Sequence, residues 1–142
     1  MAHEVVVRAR GHEHVRGTHQ STFEFTTDEY LTPTGDCILG IEADTAPADF
    51  PDFVVASCQD ADATISVTIE AAGATDEIVG RGDPSLTFES NRSMVGRTST
   101  YVDDRTILLE ADKAAADLDR DLIDRITRGV EVRVEIRVDP GT

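Results

Sequence analysis

The order of motifs in this chain reads as one pattern written twice, which constrains the fold more than any other feature. Arg16-Gly17 followed by Thr22-Phe23-Glu24 returns as Arg81-Gly82 followed by Thr87-Phe88-Glu89. Ile41-Glu42-Ala43-Asp44, with Ala46, Ala48 and Asp49, returns as Leu109-Glu110-Ala111-Asp112 with Ala114, Ala116 and Asp117. The second correspondence has the longer offset, so the second copy carries extra residues in its middle loop. The alternating run Ile65-Val67-Ile69 matches Val132-Val134-Ile136. Three matches in the same order predict two pseudo-symmetric strand-strand-helix-strand repeats, approximately 5–70 and 77–138. A unit of that size is marginal on its own, so the repeats are expected to share one core in a single domain spanning 1–142.

Periodicity supplies the elements. Val5–Arg10 reads as a strand with Val5, Val7 and Ala9 on one face, and Ser21–Thr26 as a strand with Phe23 and Phe25 inward. Cys37–Ala43 and Thr106–Ala111 are apolar on both faces and are expected at the centre of a sheet. Strands are also expected over Ala63–Glu70, Glu77–Gly82, Leu86–Glu89, Val95–Val102 and Val130–Val138, about ten in all, the last with one charge-alternating wet face. Thr32-Pro33-Thr34-Gly35 and the Gly73 region read as turns. Asp44–Ser57 is the first helix, with Pro47 or Pro51 confined to an opening turn. Lys113–Arg128 is the second, because Ala115, Leu118, Leu122 and Ile126 form one apolar stripe and Gly129 follows as a terminator. Together these give a β-rich α+β fold, mostly antiparallel sheet or sandwich with two helices.

Charge bears on partners. Among 142 residues, 28 are acidic and 13 basic, for a formal charge of −15, and Lys113 is the only lysine. With 39% hydrophobic residues the chain has the means to fold. An acidic, lysine-poor chain of this kind resembles proteins of salt-accumulating halophiles, in which concentrated salt screens the repulsion between surface carboxylates. Acidity then acts as an adaptation to solvent, so it neither supports nor excludes a nucleic-acid partner, and oligomeric state is not legible. No segment approaches a membrane span and no signal-peptide hydrophobic region is present, so a cytoplasmic protein is expected. Cys37 and Cys58 show no metal or redox spacing and read as small core residues.

Arg10-Gly11-His12-Glu13, Thr18-His19, Thr22-Phe23-Glu24, Thr34-Gly35-Asp36-Cys37-Ile38, Gly80-Arg81-Gly82-Asp83-Pro84 and Asp112-Lys113-Ala114-Ala115 together resemble an archaeal family, domain of unknown function 371. The resemblance covers nearly the whole chain. It implies a compact β-rich archaeal domain and no particular activity. It also implies Asn at the position of His14, which weighs against a mechanism needing both His12 and His14.

Five features carry candidate chemistry. His12, His14 and His19 are the candidate metal ligands, because His-x-His on an extended segment points both rings one way and His19 has a turn in which to return. No motif requires a cofactor. The Arg-Gly pairs at Arg10, Arg16 and Arg81, with Arg97, suit anion recognition: glycine admits a close ligand and guanidinium grips carboxylate or phosphate with two donors. Repeat symmetry would bring Arg16 and Arg81 together across one pocket. Their structural alternative is pairing with neighbouring carboxylates. Asp44 and Asp112 lie where strand gives way to helix and are expected as helix N-caps, or as paired carboxylates for acid–base work. Lys113 opens a helix, a poor place for a cation, and is a candidate ligand contact. Cys37 is a candidate nucleophile with His12 or His19 as base. No phosphate-cradling loop, dinucleotide fingerprint, nucleophile elbow or zinc-protease helix is present. The leading expectation is a domain that binds a small anionic or phosphate-bearing ligand through Arg10, His12, His19, Arg81 and Lys113. The alternatives are a hydrolase using His12, His19, Glu13 and Asp36, with or without a divalent metal, and a scaffold for protein or nucleic acid.

Overall fold

Alternation of β-branched and polar residues dictates the central strands. In the computed structural model, which describes residues 2–31 and 34–141, β1 spans His3–Arg10, β4 Thr64–Ala71, β5 Ala74–Arg81 and β8 Glu131–Asp139. They form one antiparallel sheet in the order β1-β8-β4-β5. Register places Ile65 opposite Val138, Val67 opposite Ile136 and Ile69 opposite Val134, so the inward side chains of neighbouring strands meet directly. All six are essentially excluded from solvent. Ala72-Gly73 closes the β4–β5 hairpin with both residues at positive φ, 50° and 88°, the sense of turn that follows the right-handed twist of paired strands.

The second sheet has the order β3-β2-β6-β7, with β2 Thr22–Thr26, β3 Ile38–Gly40, β6 Ser93–Arg97 and β7 Thr106–Leu108. β2 and β6 pair antiparallel, while β2–β3 and β6–β7 are parallel. Phe23, Phe25, Leu39, Met94 and Leu108 from this sheet join the same apolar cluster as the first sheet. Antiparallel bridges Arg10–Ile41 and Arg81–Leu109 connect the ends of the outer strands β1 and β5 to the residues that follow β3 and β7, so hydrogen bonding passes from sheet to sheet at those two points. The fold is the expected mostly antiparallel α+β domain with two helices. No helix among the described residues is long and apolar enough to cross a membrane.

Several boundaries differ from the sequence expectation. Among the described residues there are eight strands rather than ten. Leu86–Glu89 is loop, held by buried Leu86 and by Phe88, whose ring lies 5.4 Å from that of Phe50. Thr22-Phe23-Glu24 is strand, so its sequence match at Thr87-Phe88-Glu89 is not a structural one. β3 and β7 lie at sheet edges rather than centres; their two-sided burial comes from the bridges and from packing at the sheet junctions. Thr32 and Pro33 of the expected turn lie outside the described residues.

Both helical segments are broken. A 3-10 turn at Pro47–Asp49 precedes α1, Asp52–Cys58, and another at Ala115–Asp117 precedes α2, Arg120–Ile126. In the first case Pro51 enforces the break. In the second the cause is tertiary: the backbone N–H of Asp119 donates to Asp76, and the Arg120 guanidinium donates to the carbonyls of Ala115, Leu118 and Gly17. Carbonyls freed by the break are thereby satisfied. The apolar stripe Ala115, Leu118, Leu122, Ile126 is nonetheless wholly buried, and Asp121–Arg125 and Asp124–Arg128 form ion pairs four residues apart on the outer face.

Candidate functional site

The ends of β1 and β5 present the same backbone arrangement with different side chains. Arg10 and Arg81 each end their strand and exchange both backbone hydrogen bonds with the residue after β3 or β7, Ile41 or Leu109. Glu42 and Glu110 come next, at φ 53° and 51°, a left-handed conformation that non-glycine residues hold only where their surroundings require it. Gly11 donates to Val130 O and Gly82 to Ala63 O. A Cβ at either glycine would lie about 2 Å from a helix-end carbonyl, 2.0 Å from Ile126 O or 2.1 Å from Cys58 O. Asp44 and Asp112 accept from the N–H groups of Arg8 and Val79. Neither caps a helix; each carboxylate satisfies a donor on the open edge of β1 or β5. The residues that occupy corresponding places are thus Arg10 and Arg81, not Arg16 and Arg81. Arg16 is exposed on the loop between β1 and β2, with no hydrogen bond or ion pair among the described residues.

The chemistry diverges at the third residue. Asp83 uses one carboxylate oxygen to accept from Ser85 N at 3.0 Å and the other to accept from Arg81 Nη1 at 3.0 Å. Hydrogen bonds from the Ser85 hydroxyl and backbone, then from Arg81, hold the Asp83 carboxyl down at about 2. Arg81 Nε also donates to Glu110 at 2.9 Å. In the first half His12 stands where Asp83 does: its Nδ1 accepts from His14 N at 3.0 Å, closing the same turn without a carboxylate. Among the described residues Arg10 consequently has one ion-pair partner, Glu42 Oε2 at 3.9 Å, beyond hydrogen-bond range. Its guanidinium donates no hydrogen bond among the described residues.

Arg10, His12, Glu13, Glu29, Glu42 and Arg128 line one cleft of about 490 Å³. It continues into a neighbouring cleft of about 660 Å³ through Arg10, Glu42 and Gly129. The volume suits a small ligand. A different cleft, about 420 Å³, contains Arg92 and Arg105, but these already bind Asp28 and Asp103.

His19, Asp36, Arg81 and Lys113 do not line the cleft of Arg10, His12 and Glu13. The His19 Nδ1 accepts from the Thr22 N–H at 3.1 Å and lies 2.9 Å from the Thr22 hydroxyl, fixing the ring at the start of β2. Asp36 contributes its backbone carbonyl to Thr18 and His19. Arg81 is held through Nε by Glu110 and through Nη1 by Gly82 O and Asp83. Lys113 Nζ donates to Asp76 at 2.6 Å and to Glu77 O at 3.0 Å, so this lysine ties the segment between β7 and the second 3-10 turn to β5. The His12 and His14 rings lie 4.9 Å apart, tilted by 39°, and among the described residues no three His, Cys, Asp or Glu side chains gather as a metal site. Cys37 donates to Glu24 at 3.5 Å, and burial first, then the charge and hydrogen bond of Glu24, push its thiol up to about 11, which disfavours the thiolate a nucleophile needs. Arg97 is buried, donates to Thr106 and Asp103, and stacks over Tyr101 at 4.8 Å.

Glu29, Glu42 and Arg128 were not singled out as site residues from sequence. For Glu42 a signal existed, since it lies in the Ile41–Asp44 motif matched by Leu109–Asp112; Glu29 and Arg128 reach the cleft only through tertiary packing. Compared with known proteins, the chain is 38% identical over 135 residues to the uncharacterised protein MJ0206 of Methanocaldococcus jannaschii, covering 95% of this chain and 99% of that one. A family model described as a domain of unknown function, DUF371, matches residues 7–139. The chain therefore belongs to the DUF371 family.

Proposed function

We propose that this domain binds a small anionic ligand, a carboxylate or a phosphate, in the cleft at Arg10 and His12. The observation that carries the reading is the contrast between two matching arginines. Arg81 has a carboxylate on each side of its guanidinium, while Arg10 has His12 in the place of Asp83 and Glu42 a full ångström farther off than Glu110. A guanidinium fork with unused donors recognises a planar carboxylate or a phosphate with two parallel hydrogen bonds. The ligand's anionic group engages the Arg10 guanidinium donors whose counterparts in Arg81 are taken by Asp83 and Glu110. A His12–His19 hydrolase is less well supported, because His19 Nδ1 already accepts from Thr22. The acidic, lysine-poor composition supports a cytoplasmic protein working in concentrated salt.

The test is isothermal titration of inorganic phosphate and of acetate into the protein in KCl buffer, with Arg10→Gln and His12→Asp beside the parent. Both variants are expected to fold as the parent does and to lose at least tenfold in affinity, Arg10→Gln by removing the fork and His12→Asp by supplying an internal carboxylate. Affinity unchanged in Arg10→Gln would sink the proposal.

A further inference from the structure

We propose that the open edge of β1 docks a second copy of this chain, the two β1 strands pairing antiparallel across a twofold axis at Val5. This surface is independent of the anion cleft above. Arg8 and Arg10 direct their backbone groups away from β8, toward Asp44 and Ile41. Strand alternation points the N–H and C=O of Glu4 and Val6 to the same side, and among the described residues neither makes a backbone hydrogen bond across that edge. The matching edge of β5 is closed. There Glu77, in the place of Val6, donates its N–H to Asp76 at 2.8 Å and accepts at its carbonyl from Lys113 Nζ at 3.0 Å. Thr45 stands where Lys113 does, and its hydroxyl turns to Asp44 instead. Apolar side chains flank the open stretch on both faces. Val6 is 36% exposed, Val5 is half-buried, and Phe53 is 61% exposed with its ring 5.2 Å from that of His3. An unpaired edge of this kind is a template for another strand.

A second copy fits this edge because the unused groups match themselves. Arg8 has its N–H and carbonyl committed to Asp44, so a register that pairs Arg8 with Glu4 of the other copy is blocked. A register centred on Glu4 sets the two Glu4 carboxylates directly opposite each other, a destabilising like-charge pair. The register centred on Val5 is left. It places Glu4 opposite Val6 of the other copy and Val6 opposite its Glu4, and it uses every open N–H and C=O of both residues. Val5 then faces Val5 at a non-hydrogen-bonded position, where Cα atoms approach to about 4.5 Å. On the outer face Glu4 lies diagonal to Arg8 and to Glu4 of the other copy; Arg8 attracts it, and Arg137 of its own copy, at 3.9 Å, offsets the repulsion. One patch meeting itself across a twofold axis gives a closed dimer. Each copy carries a formal charge of −15, so screening by salt favours the pair.

Sedimentation velocity in concentrated KCl measures the association, with Val6→Pro and Val6→Glu beside the parent. The parent is expected to sediment as a dimer. Val6→Pro removes an outward-facing donor, a substitution that edge strands tolerate, and should weaken the dimer at least tenfold. Val6→Glu keeps the backbone and sets a carboxylate opposite Glu4 of the other copy, so it gives the same loss should Val6→Pro disturb folding. Mild oxidation tests the register. Val5→Cys should form a cross-linked dimer, since facing Cα atoms about 4.5 Å apart fall within the span of a disulfide. Thr75→Cys, exposed on β5, should cross-link no more than the parent. A parent that stays monomeric overturns self-pairing and leaves the edge to an extended segment of another protein. A dimer that survives both changes at Val6, or Val5→Cys cross-linking no faster than Thr75→Cys, also overturns the proposal.

Discussion

Replacing Asp103 by Asn should be among the most damaging single-atom changes in this protein, and its size follows from the geometry. Asp103 lies between two arginines: Arg97 Nη2 donates to it at 2.9 Å, and Arg105 donates through Nη2 at 2.8 Å and through its backbone N–H at 3.0 Å. The Arg97 side chain is only 10% exposed and Asp103 23%. Burial by itself would push the Asp103 carboxyl up; the hydrogen bonds from Arg105 and the charges of Arg97 and Arg105 outweigh it and bring the group from 3.8 to about 2. That displacement corresponds to about 2.5 kcal/mol of preference for the charged carboxylate. Asn also leaves the buried Arg97 without its counter-charge, so Asp103→Asn is expected to cost about 3–4 kcal/mol. For a domain of this size that is a fall in Tm of about 10 °C. Because the folded carboxyl holds its charge to lower pH than the unfolded one, its contribution is complete above about pH 5 and is lost as pH falls through 2. The stability gap between parent and variant should therefore shrink by about 1 kcal/mol between pH 7 and pH 3. Urea denaturation of both proteins at the two pH values measures this. Asp28, Asp76 and Asp83, also held below the ordinary carboxylate range, are common to both and cancel in the difference. A loss below about 1 kcal/mol at pH 7, or a gap that does not change with pH, would refute the reasoning.

Two further outcomes follow from packing. Gly11→Ala and Gly82→Ala each drive a methyl group to within 2.0 or 2.1 Å of a helix-end carbonyl, so each should destabilise by about 2–3 kcal/mol by chemical denaturation, whereas Gly129→Ala, with open space around its Cβ but φ at 76°, should cost about 1 kcal/mol. Cys37 and Cys58, whose thiols burial pushes up to about 11 and about 12, should resist an aromatic disulfide reagent at pH 8 until denaturant is added; rapid reaction of Cys37 in the folded protein would contradict its placement against Glu24.

The features legible in the sequence were those set by neighbouring residues. Alternation in Ile65–Ile69 and Val132–Val138 fixes which side chains face inward, because successive residues of a strand point to opposite faces whatever they pair with. The stripe Leu118, Leu122, Ile126 likewise identified the buried face of α2, and Phe23 and Phe25 the core side of β2. Where only local signals were available, distant partners overruled them. Lys113–Arg128 looks like one helix, yet Asp76 and the Arg120 guanidinium stabilise the interruption at Leu118 and Asp119. Asp44 and Asp112 look like helix caps, yet the donors that need them are the strand-edge N–H groups of Arg8 and Val79.

The same division runs through the candidate site. Arg10 and His12 stood out as residue types able to bind an anion, and they do line one cleft. Their difference from Arg81 and Asp83 was not readable from composition or spacing, since sequence similarity pointed to Arg16 as the counterpart of Arg81. By itself the sequence determined which strands are half-buried, which faces are apolar and which side chains have anion-binding chemistry, because those properties reside in single residues and their immediate neighbours. Only the tertiary structure decided which arginine is already satisfied and which is open, because a guanidinium's availability depends on whether carboxylates distant in the chain, such as Glu110 for Arg81 and Glu42 for Arg10, arrive at 2.9 Å or stop at 3.9 Å.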